Sequence, residues 1–467
     1  MTGDGAPSAG DDERLRRAED WLLGRELFGI RPGLERMVVL LRALGDPQAA
    51  FDAIHVVGSN GKTSTVTMTA ALLERRGIPS GAYVSPHLVS FRERVLVGGV
   101  PAAPGVFADA VGRVREAAEA LEAGGPDAGA DALDGPVTQF EAVTAAAFLV
   151  LAGSGVRCAV VEAGLGGRWD ATNVLPRTEP GAAGPVPPGR TGVTVLTSIS
   201  LEHTRWLGDT VAAIAGEKVA VLRPGGTLVL AAGLPPAAHD VAEARAVEQG
   251  GTLVEAAPDP GPDVPTPGAA QYQRRNLATA IAAVGAYLVA ARAPAAGRDP
   301  EAERDVATRV VVPGRFEVVE GPAPGEPAGP GRTAGPTVIH DGAHNEAGFE
   351  ALADALDAVH PARPLVAVVG VLDDKDPAGM LAALRDRCDV LVATAPSNPR
   401  RLEAEALAAI AATALPGRET HVVPGAHDAL ARARTLAGQA GTVLVTGSLH
   451  LVADLRRGPG AAPGARF

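Results

Sequence analysis

Short runs dense in valine, isoleucine and leucine recur along the chain: FDAIHVVG, RCAVVEAG, VTVLTSI, GTLVLAA, TVIHDG, LVAVVGVL, VLVATAP and TVLVTGS. Between them lie stretches rich in alanine, leucine, glutamate and arginine with helical spacing of their apolar positions. This alternation predicts an α/β chain whose strands are largely parallel and buried. Residues 123–136, 176–192 and 321–336 are instead rich in proline, glycine and alanine, a composition suited to solvated loops. The last of these follows "VVPGRFEVVE" and reads as a hairpin insertion near the start of a second domain. The expected boundary is at about 298–308, after the helical "RRNLATAIAAVGAYLVAARA" and the charged "GRDPEAERD". No internal repeat is visible.

Length and charge narrow the class. A chain of 467 residues exceeds one ordinary core and predicts two or three domains. With 46% hydrophobic residues, 21% charged residues and a net charge of -12, it reads as a soluble acidic globular protein, with nothing to favour nucleic acid or an anionic membrane. Cys158 and Cys388 each sit in an apolar run and read as buried free thiols of a reducing cytosol. The N-terminus has no apolar segment of signal-peptide length, and no run of about 18 apolar residues occurs, so a cytoplasmic protein is expected.

One stretch points to chemistry. In "IHVVGSNGKTSTVTM", Ile54 to Met68, a strand-like run enters a Gly-Ser-Asn-Gly-Lys-Thr turn and a helical pattern leaves it. Such a turn gathers backbone N–H groups and a helix N-terminus around an anion, while the lysine neutralises β/γ-phosphate oxygens. Thr63 or Ser64 is then placed to approach a magnesium ion. The widespread form of this loop has its first glycine five residues before the second, where this chain has Val56; its glycine is Gly58. Two further residues stand where ligands bind, just beyond strand ends: Glu162 closes RCAVVE, and His203 follows VTVLTSIS.

The short loop resembles that of the Mur ligase superfamily, and within it the folylpolyglutamate synthase and dihydrofolate synthase branch. Other stretches resemble that branch in the same order: "FGIRPGLERM", "YVSPHLVSFRERVLVGG", "VVEAGLGGRWDATNV", "TSISLEHTRWLGDT", "GEKVAVLRPG", "RRNLATA", "VVPGRFEVVE", "HDGAHNEAG", "GVLDDKDPAGML", "SNPR" and "VTGSLHLV". The resemblance covers residues 15–457. It implies a Mur-ligase-like P-loop ATPase domain with a mostly parallel sheet at 15–300, and a smaller C-terminal Rossmann-like α/β domain at 301–457. Flexible tails are expected at 1–14 and 458–467.

The function implied is an ATP-dependent ligase that joins L-glutamate to a pterin or folate carboxylate through an acyl phosphate, in a monomer needing Mg2+. The ATP site implied is Gly58, Ser59, Asn60, Gly61, Lys62 and Thr63, with Asn276, Arg315, Asp341 and His344. Ser85, Glu162 and His203 are the implied metal ligands, with Thr63 a weaker candidate. By residue type alone Lys218 reads as a surface lysine; the resemblance implies instead a carbamylated side chain holding a second magnesium. Lys62, His203 and Lys218 are the catalytic set, and Arg31, Pro32, Thr138 and Asp170 the substrate side. The chain departs from the branch at "LEHT", where the family reads "DHT", and at "KVAV", where it reads close to "KAGI". Two other readings stay open: a Mur-type ligase with another acceptor or amino acid, and a nucleotide-binding module that has lost ligation.

Overall fold

The computed structural model describes residues 9–25, 33–124, 133, 135–175, 192–266, 268, 270–293, 297–321 and 335–458. The chain divides into two compact units, one from Met1–Pro260 with Asn276–Val306, the other from Gly261–Arg275 with Ala307–Arg466. The second unit thus takes in a segment that lies well before residue 298 in sequence.

The first unit is built on eight strands: β1 (Asp52–Val57), β2 (Ser80–Tyr83), β3 (Val95–Val97), β4 (Val100–Pro101), β5 (Cys158–Glu162), β6 (Gly192–Leu196), β7 (Thr227–Leu230) and β8 (Thr252–Glu255). Their order in the sheet is β4-β3-β2-β5-β1-β6-β7-β8. Across the sheet from β2 to β8 neighbours run parallel, and only the pairs β2–β3 and β3–β4 at one edge are antiparallel. β1 and β5 lie at the centre with Ile54, Val56, Val57, Val160 and Val161 inaccessible to solvent. Each such aliphatic side chain contributes about 1.5–3 kcal/mol by leaving water. The helix Gln139–Gly153 is apolar on every face and correspondingly buried. It starts with a capping box in which Thr138 and Glu141 satisfy each other's backbone N–H groups.

The second unit has six strands: β9 (Glu317–Glu320), β10 (Thr337–His340), β11 (Leu365–Val369), β12 (Val390–Ala393), β13 (Glu419–Val422) and β14 (Thr442–Thr446), ordered β13-β12-β11-β14-β10-β9. All neighbours are parallel except β9, which runs antiparallel to β10. The strands at the interior of the sheet are sealed by helices including Glu346–Val359, Ala404–Ala414 and Ala426–Ala437. Cys158 and Cys388 are free and buried, as their apolar surroundings suggest. Among the described residues no helix is long and apolar enough to cross a membrane.

Candidate active site

The parallel strands of the first unit all end at the same edge of the sheet, and the loops leaving β1, β2, β5 and β6 carry the chemistry. The loop after β1 needs glycine twice. Gly58 has φ 149°, and a Cβ there would lie 2.0 Å from Thr197 Oγ1; Gly61 has φ 84° and immediately precedes the helix Lys62–Arg75. The loop is tied to the one after β6: Asn60 N–H donates to Ser198 Oγ at 2.8 Å, Ser59 N–H to the Ser198 carbonyl at 2.8 Å, and Thr197 Oγ1 to the Asn60 carbonyl at 2.7 Å. The first-turn N–H groups of the following helix are thereby held at a fixed place, where an anion is favoured. Asn276 stands against this turn, since a Cβ on Gly61 would come within 2.6 Å of its Oδ1.

Lys62 folds back over the loop, donating to the carbonyls of Gly58 at 2.9 Å and Ser59 at 3.1 Å. Thr63 turns the other way and its hydroxyl reaches both carboxylate oxygens of Glu162, at 3.1 and 3.0 Å. Ser85, in the loop after β2, donates its backbone N–H to the same carboxylate at 3.1 Å, and its carbonyl lies 3.4 Å from Thr63 Oγ1. Three segments distant in sequence therefore converge on the buried Glu162. Of the two loop hydroxyls, Thr63 is the one that faces this group. Ser64 points inward, its Oγ without a partner.

Lys218 is not a surface lysine. It is 2% exposed, on the last turn of the helix Val211–Val219, and donates to the Gly58 carbonyl at 2.9 Å and to Glu202 Oε1 at 2.8 Å. Burial pushes its pKa below the ordinary lysine value, and the positive charge of Lys62 adds to that effect while Glu202 opposes it. Glu202 is half-buried, and that burial alone would raise its pKa. The ammonium groups of Lys218 and Lys62 overcome this and hold it down to about 2. Glu202 was not singled out from the sequence; the signal was the departure "LEHT", which puts a longer acid beside His203. His203 itself starts the helix Thr204–Leu207 in a left-handed conformation, φ 46°.

The remaining positions fall in separate places. Thr138 exchanges its hydroxyl and N–H with Glu141. Asp170 is buried and both its oxygens are used within its own loop, one by Leu165 N–H at 2.8 Å and the other by Thr172. Arg31 and Pro32 lie outside the described residues. In the second unit Asp341 accepts from Tyr272 Oη at 2.8 Å, Phe316 N–H at 2.9 Å and Ala343 N–H at 2.9 Å. Arg315 is close enough to lower its carboxyl, although burial leaves the net pKa raised. His344 Nδ1 contacts the Gly342 carbonyl at 2.8 Å in the same loop.

The donor set suits a hard divalent cation. The buried Glu162 carboxylate and the Thr63 hydroxyl are oxygen groups, and the Ser85 carbonyl oxygen lies 3.4 Å from that hydroxyl. Among the described residues no three His, Cys, Asp or Glu side chains form a cage by themselves.

The two α/β units, the first with a glycine-lysine turn after β1, are those of an ATP-dependent ligase of the Mur type. Residues 314–449 match the family model of the Mur ligase glutamate ligase domain. The dihydrofolate synthase/folylpolyglutamate synthase of Mycobacterium tuberculosis is 34% identical over 406 residues, 81% of this chain and 77% of that protein. The Mycobacterium tuberculosis folylpolyglutamate synthase complexed with ADP superposes with a TM-score of 0.79 at 30% identity, covering 97% of this chain and all of that one. A bifunctional folylpolyglutamate synthase/dihydrofolate synthase with Mn, AMPPNP and L-glutamate bound gives 0.72 at 27% identity, covering 94% and 97%. The chain belongs to the dihydrofolate synthase/folylpolyglutamate synthase family.

Proposed function

We propose that the protein joins the amino group of L-glutamate to the carboxylate of a pterin-bearing acceptor, dihydropteroate or a reduced folate, at the expense of ATP. The observation that carries this reading is the meeting of Lys62, Thr63, Ser85, Glu162 and Lys218 at the mouth of one loop. An amide does not form from a carboxylate and an amine in water without activation. A carboxylate oxygen therefore attacks the γ-phosphorus, ADP leaves, and the acyl phosphate that results is attacked at carbon by the neutral amine. Inorganic phosphate departs and the amine loses its proton.

The residues divide this work. Lys62 exchanges two loop carbonyls for phosphate oxygens, and the N–H groups of Gly61 to Thr63 cradle the same anion. Asn276, which stands against Gly61, adds a further contact to the nucleotide. Glu162, Thr63, Ser85 and His203 would hold Mg2+, which would offset the repulsion between two approaching anions. As its neutral amine, Lys218 would take up carbon dioxide with loss of a proton and so become an anionic group able to hold a second Mg2+; its burial and lowered basicity support this. Thr138 and Asp170 shape the acceptor's side, Asp170 by fixing its loop. The enzyme works as a cytoplasmic monomer.

Acceptor carrying heavy oxygen in its carboxyl group tests the route. One labelled oxygen is expected in the phosphate released. Label confined to the amide, or AMP and pyrophosphate in place of ADP, rules the acyl phosphate out.

A further inference from the structure

His55 lies inside β1 and is buried, although a strand this deep is otherwise apolar apart from its first residue. Register sets Val56 opposite Glu162 and His55 opposite Val161. Side chains alternate along a strand, so His55 leaves the sheet on the face opposite to Glu162. There its Nε2 meets Thr172 Oγ1 at 2.8 Å. Thr172 gives its hydroxyl hydrogen and its N–H, the latter at 3.0 Å, to Asp170 Oδ1, and Asp170 Oδ2 accepts from Leu165 N–H at 2.8 Å. A hydroxyl has one hydrogen, and Thr172 spends it on the carboxylate. His55 must then be the donor, which fixes its tautomer with hydrogen on Nε2. Burial, aided by Arg223, holds the ring neutral with a pKa of about 3.

The loop 163–173 that this chain of bonds secures does not end there. Arg168 donates its N–H to the Glu217 carbonyl at 3.0 Å and its Nε to the Glu217 carboxylate at 2.8 Å. Gly167 packs so tightly on the same helix that a Cβ would lie 2.6 Å from the Lys218 carbonyl. Arg223 closes the far side, donating to the Asn173 carbonyl at 2.9 Å. The loop is thus fastened at Glu162 on one face of the sheet, at His55 on the other, and against the helix turn that bears Lys218.

We propose that His55 is a positioning residue for ligation: through Thr172 and Asp170 it sets loop 163–173 so that Glu162 and Lys218 keep their spacing about the phosphate loop. This rests on the ligase reading above. A core histidine that merely satisfies itself would affect stability alone; a positioning residue affects turnover beyond it, because misplacing reacting groups by about 1 Å costs on the order of a hundredfold.

The test compares His55→Leu, His55→Gln, Thr172→Val and the Leu/Val double variant, measuring kcat, KM for MgATP, ADP affinity, urea midpoint and hydrogen exchange of a peptide spanning 163–175. We expect His55→Leu and Thr172→Val each to lower kcat roughly ten- to a hundredfold. ADP affinity should stay within about twofold, the loop peptide should exchange faster, the double variant should be no worse than the worse single, and Gln, which keeps a donor, should recover most of the rate. Wild-type kcat in folded Thr172→Val with a lowered urea midpoint would overturn the proposal, as would losses that multiply in the double variant. Should the wild-type protein release no ADP in response to glutamate, the ligase reading fails by itself. Exchange of the loop peptide and ADP affinity would still report whether the latch exists.

Discussion

Lys62 and Lys218 donate to one acceptor, the carbonyl of Gly58, each from 2.9 Å. Their nitrogens are therefore within about 6 Å of each other, where two like charges repel by about 3 kcal/mol at an effective dielectric of ~20. Glu202 offsets part of that repulsion, and the remainder favours the neutral amine at Lys218, the form that carbamylation requires.

The first expectation concerns Lys62. Lys62→Ala removes the point charge that meets the phosphates and leaves the buried strands untouched. Glutamate-dependent ADP release should fall at least about a hundredfold while the circular dichroism spectrum is unchanged. A folded variant that turns over near the wild-type rate contradicts the phosphate-cradle assignment.

Lys218 gives a sharper test. Lys218→Ala is expected to lose most activity, and Lys218→Arg to do no better, because a guanidinium keeps the positive charge and cannot take up carbon dioxide. A short carboxylic acid added to the alanine variant should restore part of the rate by filling the vacated ligand position. Arginine at wild-type rates would show that the side chain acts only as a cation.

Gly58→Ala probes the loop backbone. The added methyl meets Thr197 Oγ1 at 2.0 Å and the Ser198 backbone N at 3.1 Å, at a left-handed φ. Titration calorimetry should find nucleotide binding weakened at least about tenfold, and Thr197→Ala should not recover it, since the backbone clash and the φ strain remain. Recovery in that double variant would locate the whole effect in one side-chain contact.

Acid should destabilise the protein before its carboxylates titrate. Burial lowers His55 to about 3 and His340 and His450 to about 4, from an ordinary 6.5. Above pH 6.5 both folded and unfolded chains keep these rings neutral. As pH falls below 6.5 the unfolded chain binds protons that the folded one refuses, so stability is full above 6.5 and declines toward pH 4, by at most about 4 kcal/mol per pH unit for three such groups. Urea midpoints at pH 7.5 and 5.5 check the sign; a midpoint unchanged or higher at 5.5 contradicts it.

Much of this protein is written locally. The eight apolar runs read from the sequence are all strands, because a strand buried on both faces must be aliphatic almost throughout, and that signal needs no knowledge of the neighbours. The turn after β1 was equally legible as a turn, since Gly58 and Gly61 answer to backbone angles within it. What escaped were short strands such as Ser80–Tyr83, Thr252–Glu255 and Glu419–Val422, which exist because neighbouring strands offer them hydrogen bonds. The joining of Gly261–Arg275 to the second unit escaped too, because contacts rather than chain order decide it.

The site shows the same division. Residue type and position at a strand end sufficed to mark Glu162, but that Thr63 and Ser85 serve its carboxylate depends on β2, β5 and β1 being neighbours in the sheet. A lysine's letter says surface; only the packing of the helix Val211–Val219 against the phosphate loop buries Lys218 and pairs it with Glu202. Nor does any local pattern distinguish His55 from an ordinary core residue. Its partner Thr172 lies far along the chain, and a hydrogen bond between side chains has no signature in the sequence of either. Local sequence dictates backbone conformation because its causes act within a few residues; charge, burial and hydrogen-bond partners come from tertiary neighbours, and those only the folded chain supplies.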